Sequence, residues 1–131
     1  MRTLVTGGAG FIGSHLVERL LQDGHEVIVL DNFSTGRRQN LEPVWHYSQL
    51  HFQHADIADH ETICPLLNGV DWVFHLAALA DIVPSIQRPL EYHHANVDGT
   101  ISVLEAARAA GVKRFIYTAS SSCYGIPEVY P

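Results

Sequence analysis

The feature that most constrains the fold is a cluster of glycines near the N-terminus. Gly7, Gly8, Gly10 and Gly13 lie in the stretch TGGAGFIG, between a short apolar run over residues 3–6 and an amphipathic segment. Glycine loses more conformational freedom on folding than any other residue, so such a cluster is justified where the backbone adopts unusual angles or approaches another group closely. The stretch therefore predicts a strand, a tight turn and a helix, with a ligand against the turn.

Short runs rich in β-branched residues alternate with longer helical patterns along the rest of the chain. We predict strands over residues 3–6, 26–30, 51–55, 71–77 and 114–120, helices over 11–22, 59–67 and 89–110, and loops over 31–49 and 78–88. Apolar strands separated by helices are typical of a parallel sheet with right-handed crossovers. We therefore predict an α/β fold, a doubly wound parallel sheet of the Rossmann type with strand order 3-2-1-4-5.

The last predicted helix carries a pattern of apolar residues. Val97, Ile101, Leu104 and Ala107 recur at a spacing that aligns them along one side of a helix. We expect this side to face the sheet.

Composition narrows the possible partners. The chain has 131 residues, a length that fits one domain, and a formal net charge of −6. Nothing in this charge balance favours nucleic acid or an anionic membrane surface. Cys64 and Cys123 have no CxxC spacing, and no segment reaches the roughly 18 apolar residues of a membrane span. We expect a cytoplasmic protein with neither nucleic acid nor membrane as a partner.

The glycine turn has the spacing of a dinucleotide site. Gly7, Gly10 and Gly13 form a GxxGxxG pattern, in which backbone N–H groups at the helix N-terminus can bind a pyrophosphate. Asp31 comes directly after the second predicted strand, where an acid can accept a hydrogen bond from the adenosine ribose 2′-hydroxyl and repel a 2′-phosphate. This favours NAD, although Arg37 and Arg38 leave NADP open. The alternative is a glycine-rich turn with a packing role only.

Six motifs extend this pattern along the whole chain. They are TGGAGFIG at 6–13, LDNFSTG at 30–36, ADI at 55–57, HLAA at 75–78, NVDGT at 96–100 and SSSCYG at 120–125. In this order they resemble the extended short-chain dehydrogenases/reductases of the NAD-dependent epimerase/dehydratase family, most closely nucleotide-sugar epimerases of the UDP-glucose (UDP-galactose) 4-epimerase type. The resemblance implies an enzyme that interconverts 4-epimers of a UDP-hexose or UDP-N-acetylhexosamine through a 4-keto intermediate, and it makes a homodimer the expected assembly.

The resemblance also implies roles for individual residues. Besides the three glycines of the turn, the implied cofactor contacts are Phe11 and Ile12 at the pyrophosphate, Asp31 and Asn32 at the adenosine ribose, Asp56 and Ile57 at the adenine, and Leu76, Ala77, Ala78 and Asn96 toward the nicotinamide ribose. Two structural alternatives remain open. Asp56 could cap the following helix, and Ala77 with Ala78 could be ordinary packing at a strand end.

The serine cluster is the candidate catalytic segment. By the resemblance, Ser120 hydrogen-bonds the sugar hydroxyl that is oxidised, and Ser121 and Ser122 lie beside the substrate. A hydroxyl can donate and accept at once, which suits a proton shared with a substrate oxygen. Related 4,6-dehydratases carry an Asp-Glu pair where Ser121 and Ser122 stand, so an epimerase is favoured over a dehydratase. Ala80, where many 4-epimerases of the type carry lysine, leaves the sugar open.

The family's catalytic YxxxK pair does not occur in the sequence, since no tyrosine is followed by lysine four residues later. By the resemblance the pair would fall after Pro131. We therefore expect residues 1–131 to be an NAD-binding Rossmann domain without the C-terminal substrate-binding part, inactive by itself. Another NAD-dependent nucleotide-sugar dehydratase or reductase, or a non-catalytic dinucleotide-binding module, remains an alternative. The histidine pairs lack zinc-site spacing, so we expect no metal.

Overall fold

The strands form one parallel sheet. The computed structural model describes residues 1–120 and 125–126. These residues form β1 (Arg2–Thr6), β2 (Glu26–Asp31), β3 (Leu50–His54), β4 (Trp72–His75) and β5 (Arg114–Tyr117), in the order β3-β2-β1-β4-β5. All four neighbouring pairs are parallel. The predicted fold class and strand order are confirmed.

Helices connect the strands. They are α1 (Phe11–Gln22), α2 (His60–Ile63), α3 (Ile82–Gln87), α4 (Pro89–His93) and α5 (Gly99–Ala109), with 3₁₀ turns over Arg38–Val44 and Cys64–Leu67 and a π-helical turn over His94–Asp98. The predicted bounds of α1 are confirmed, and the single predicted last helix is α4, the π turn and α5. The predicted loops were wrong in part, because one contains α3 and the other a 3₁₀ turn. No helix of the described residues is long and apolar enough to cross a lipid bilayer.

The core lies on both faces of the sheet. Alternate residues of a strand point to opposite faces, so Leu4 of β1 packs with residues of α2 and α5, and its neighbour Val5 packs with residues of α1. The central strands are buried on both faces, which explains their nearly continuous apolar sequences. The sheet thus holds the ends of β1, β2 and β4 rigidly beside one another.

The predicted apolar face of the last helix was wrong in part. Ala107 is buried, but Val97, Ile101 and Leu104 are 41%, 55% and 43% exposed, and the helix instead buries Val103 and Ala106 beside Ala107. Close approach of α5 to the core explains the difference: a Cβ built on Gly99 would lie 2.5 Å from Ile57 Cδ1. Small residues therefore face the core and larger apolar ones face outward.

The fourth and fifth strands are shorter than predicted. They end at His75 and Tyr117, and the apolar residues after His75 line a cleft instead of continuing the strand. The N–H of Ala77 donates to the Thr6 hydroxyl at 3.2 Å, which turns this segment toward the end of β1.

Candidate functional site

Two adjoining hollows lie at the carboxyl ends of the strands. Ala77, Ala78 and Leu79 line both hollows. The chain runs from β1 through β2 to β3 toward one edge of the sheet and then from β4 to β5 toward the other, so the strand order reverses between β1 and β4. Ligands of open α/β sheets bind at such a point. The predicted residues Gly7, Asp31, Asn32, Asp56 and Ile57 also line the first hollow, and Ile12, Leu76, Asn96 and Ser120 line the second.

The glycine turn between β1 and α1 is tightly packed. Gly7 has a φ of +68°, and a Cβ on it would lie 2.8 Å from the backbone nitrogen of Ala77. A Cβ on Gly13 would lie 2.7 Å from the Cα of Gly8. Gly10, the residue before α1, offers no side chain to cap the first N–H groups of the helix. We call this turn the glycine cradle, because a glycine turn at a helix N-terminus is a geometry in which proteins bind anionic groups.

The Asp31 carboxylate lies against this turn. Its Oδ2 accepts a hydrogen bond from the N–H of Ala9 at 2.9 Å, and its Oδ1 accepts one from the N–H of Phe33 at 2.8 Å. The residue is only 7% exposed, yet it lines the first hollow. An ionised carboxylate has about four acceptor positions, so two hydrogen bonds leave capacity for a hydroxyl donor. The structure therefore brings together the acid and the glycine turn.

Asn32 and Asp56 form a polar pair at the end of the first hollow. Asn32 Nδ2 donates to Asp56 Oδ2 at 3.1 Å, and Asp56 Oδ1 accepts from the N–H of Ala58 at 2.9 Å. The cap of α2 is instead Asp59, whose side chain accepts from the N–H of Thr62. Of the two readings of Asp56, the helix cap is thus excluded. The neighbouring Ile57 is buried and forms an apolar part of the wall.

A buried histidine, His75, lies beneath the second hollow. The sequence analysis included it in the motif HLAA but gave it no role of its own. His75 is 1% exposed, with Nδ1 2.8 Å from Thr6 Oγ1 and Nε2 3.0 Å from Thr100 Oγ1. Thr100 Oγ1 donates its proton to the carbonyl oxygen of Asn96 at 2.7 Å, so it accepts from His75 Nε2. His75 Nδ1 therefore accepts from the Thr6 hydroxyl. Burial lowers the pKa of His75 from 6.5 to about 4, in agreement with this neutral form.

This tautomer of His75 explains how Leu76 and Ala77, which line the second hollow, are fixed to β1. With its proton directed to His75, Thr6 Oγ1 accepts hydrogen bonds from the N–H groups of Leu76 and Ala77, both at 3.2 Å. Thr6, His75 and Thr100, which we call the His75 network, thus link β1, β4 and α5. A signal for it was present in the sequence, because buried polar residues at strand ends are usually hydrogen-bonded.

Asn96 fixes the wall of the second hollow. Its Oδ1 accepts from the N–H of Leu79 at 2.8 Å, and its Nδ2 donates to the carbonyl of Leu79 at 2.9 Å. The residue lies in the π-helical turn, a conformation that is frequent at functional sites. Asn96 therefore lines the second hollow, and its amide is engaged with the loop after β4.

The remaining predicted residues are spread around the cleft. Phe11 and Ile12 are exposed at the start of α1, and Ile12 lines the second hollow, whereas Gly10, Phe11 and Gly13 line neither hollow. Ser120 lines the second hollow. Ser121 and Ser122 lie outside the described residues. Among the residues that the structure describes, no three His, Cys, Asp or Glu side chains are grouped as a metal site.

Comparisons with known proteins agree with this geometry. The chain is 46% identical over 133 residues to the UDP-glucose 4-epimerase of Mycolicibacterium smegmatis, a match that covers 100% of this chain and 42% of that enzyme. The crystal structure of UDP-glucose 4-epimerase from Thermotoga maritima with UDP-glucose is 38% identical, with a TM-score of 0.90, over 100% of this chain and 42% of that one.

A dehydratase is also similar. The dTDP-glucose 4,6-dehydratase of Streptomyces venezuelae, crystallised with NAD, is 44% identical with a TM-score of 0.83, over 88% of this chain and 38% of that one. The chain therefore spans less than half the length of each of these relatives.

The glycine cradle and the adjacent carboxylate fit a dinucleotide without a 2′-phosphate. The sequence model that covers residues 3–131 is described as the NAD dependent epimerase/dehydratase family. The resemblance shown by the six motifs is thereby confirmed, as is NAD as the family's cofactor. The chain belongs to the NAD-dependent epimerase/dehydratase family.

Proposed function

We propose that this chain is the NAD-binding Rossmann domain of a nucleotide-sugar epimerase, which interconverts 4-epimers of a UDP-hexose or UDP-N-acetylhexosamine through a 4-keto intermediate. The observation that carries the proposal is the pair of adjoining hollows, of which the first is lined by Gly7 and Asp31 and the second by Ser120. Bound NAD would supply the acceptor for a hydride from the sugar and, once reduced, the donor that returns it. The similarity to two UDP-glucose 4-epimerases over the whole chain supports this choice of reaction.

Each of the proposed cofactor-binding residues would contact a particular part of NAD. The N–H groups at the start of α1, beside Phe11 and Ile12, would bind the pyrophosphate, and the close packing of Gly7 and Gly13 gives it access to the backbone. Asp31 would accept a hydrogen bond from the adenosine ribose. Asn32, which donates a hydrogen bond to Asp56, would also lie at the adenosine ribose, and Asp56 and Ile57 would border the adenine. Leu76, Ala77 and Ala78 would line the path to the nicotinamide, held by the His75 network and by Asn96.

Ser120 is the proposed catalytic group of this chain. Its hydroxyl would share a proton with the sugar hydroxyl that is oxidised, because one hydroxyl can donate and accept in the same step. Ser121 and Ser122 would contact the substrate. No carboxylate pair follows Ser120 in the sequence, which favours epimerisation over elimination of water. A 4,6-dehydratase is the second candidate, because of the similarity to the Streptomyces venezuelae enzyme.

Product analysis distinguishes the two reactions. The protein from the complete reading frame is incubated with UDP-glucose, UDP-N-acetylglucosamine and dTDP-glucose, and the products are identified by NMR. We expect the 4-epimer of a UDP-sugar and no net consumption of NAD. A 4-keto-6-deoxy sugar would support the dehydratase, and binding of NAD without turnover of any sugar would support a non-catalytic module.

Assembly is tested separately. We propose a homodimer, as the resemblance implies, and light scattering at several protein concentrations measures the mass directly. A constant monomer mass at every concentration would contradict it.

A further inference from the structure

Phe33 has an unusual backbone conformation next to the acid of the site. It is the only non-glycine residue with positive φ, at 58°, among residues 1–120 and 125–126. A bulky side chain rarely adopts this left-handed conformation, which persists when surrounding contacts impose it. The N–H of Phe33 is the donor to Asp31 Oδ1 at 2.8 Å. The unusual conformation therefore lies at one of the two hydrogen bonds that hold the carboxylate.

The Phe33 ring packs against β3. The Phe33 ring stacks on Phe52 at a centroid distance of 5.2 Å and on His54 at 5.7 Å, with interplanar angles of 19° and 23°. Phe52 and His54 are two residues apart on β3 and share one face of the strand. His54 is also the parallel register partner of Asp31. The ring thus anchors the loop to the strand that neighbours the acid.

The loop then returns directly over the carboxylate. A Cβ on Gly36 would lie 2.8 and 2.9 Å from the two carboxylate oxygens of Asp31. The return is fixed by the N–H of Arg37 and by Asn40 Nδ2, which donate to the carbonyl oxygen of Ala9 at 3.0 and 2.8 Å. The carboxylate is therefore enclosed between the glycine turn, Phe33 and Gly36.

We propose that Phe33 is a positioning residue for cofactor selection: its stacked ring keeps its N–H on Asp31 Oδ1 and so keeps the carboxylate where it favours NAD over NADP. The inference rests on the proposed role of Asp31 toward the adenosine ribose. If the ring is removed, the carboxylate loses a fixed donor and gains freedom to turn. Its contact with the ribose hydroxyl and its repulsion of a 2′-phosphate both weaken.

Dissociation constants for NAD and NADP, measured by calorimetry, test the proposal. In Phe33→Ala we expect the NAD constant to rise about tenfold while the NADP constant changes less than about threefold, so that the preference falls. Phe33→Gly accepts the positive φ but lacks the ring, and we expect the same loss. Phe33→Tyr keeps an aromatic ring at this position and should retain the wild-type preference for NAD over NADP. Phe74→Ala is the matched control, because it removes a partly buried phenylalanine of the same cluster away from Asp31.

A readout without cofactor complements the binding data. Amide hydrogen exchange of Ala9 reports its bond to Asp31, and we expect it to become faster in Phe33→Gly but not in Phe74→Ala. A wild-type NAD preference in the alanine and glycine variants, with a loss of thermal stability like that of Phe74→Ala, would overturn the inference and leave the proposed function intact. Binding of neither dinucleotide by the wild-type protein would overturn the cofactor proposal, and this inference with it.

Discussion

At the scale of single residues, the packing of the glycine turn depends on the absence of a Cβ atom at particular glycines. Gly7 and Gly24 both have positive φ, at +68° and +79°, but only Gly7 has a neighbour in the way of a side chain. A Cβ on Gly24 would meet no heavy atom within 4 Å. The two positions therefore separate the cost of backbone strain from the cost of a collision.

We expect Gly24→Ala to lower the free energy of unfolding by about 1 kcal/mol, as a φ effect alone. Gly7→Ala should cost more, about 3 kcal/mol, because the Cβ also displaces the backbone of Ala77. Urea unfolding measures both, and calorimetry should show weaker NAD binding for Gly7→Ala only. Equal costs for the two variants would contradict the packing described for the turn.

His75 makes stability depend on pH. Its pKa is lowered from 6.5 in the unfolded chain to about 4 in the fold. Between these values the unfolded state binds a proton that the folded state does not, so acid favours unfolding. We expect this residue to cost nothing above about pH 6.5 and up to about 3 kcal/mol near pH 4.

Urea unfolding of the wild-type protein and of His75→Gln, between about pH 7.5 and about pH 4.5, checks this expectation. The variant should be less stable at neutral pH, because the Thr6 and Thr100 hydroxyls lose their partner, but its stability should fall less on acidification. Parallel pH profiles for the two proteins would mean that His75 titrates normally in the fold.

At the scale of elements, the His75 network determines how β1, β4 and α5 meet at the cleft. Thr3 and Thr6 are both buried in β1 and both use their hydroxyls, but Thr3 Oγ1 donates only to the carbonyl of Glu26 at the far end of the strand. Replacing each threonine by valine therefore compares the loss of a hydroxyl at the two ends of β1, of which only the Thr6 end lies at the site.

Thr3→Val should lower the free energy of unfolding by about 1 kcal/mol, and Thr6→Val by about 2 to 3 kcal/mol, because the latter leaves His75 Nδ1 and the N–H of Ala77 unpaired. Only Thr6→Val should also weaken NAD binding, since Ala77 lies under the glycine turn. Calorimetry and urea unfolding give the two quantities. Weaker NAD binding in both variants would indicate a general loss of order instead.

The faces of α5 give a further prediction. Val103 is buried against the sheet and Leu104 is 43% exposed, although both are apolar neighbours. We expect Val103→Ala to cost about 1 to 2 kcal/mol and Leu104→Gln to change the free energy of unfolding by less than about 0.5 kcal/mol. Unfolding at low protein concentration measures both. A larger cost at Leu104 would mean that the outward face is covered.

At the scale of the whole molecule, the glycine turn, Asp31 and the two hollows lie together because β1, β2 and β4 are parallel and their carboxyl ends are on the same side of the sheet. The turn and the acid were recognisable from the sequence, since each follows a strand within a short, regular pattern. The helix α3 was not, because Ile82–Gln87 spans fewer than two turns and contains Pro84. The roles of Ser121 and Ser122 and the choice of sugar stay predictions.

By itself, the sequence determined the strand-turn-helix at the N-terminus, the bounds of α1, the order of the strands and the placement of Asp31 beside the glycines. The turn and the helix follow from local conformational preferences, and the strand order follows from the match of the strand and helix pattern to a Rossmann fold with right-handed crossovers. Only the tertiary structure decided which face of α5 is buried, which hydroxyls complete the His75 network and how Phe33 and Gly36 enclose the carboxylate. Such contacts join residues far apart in the chain, and their distances depend on how closely whole elements pack, which periodicity does not encode.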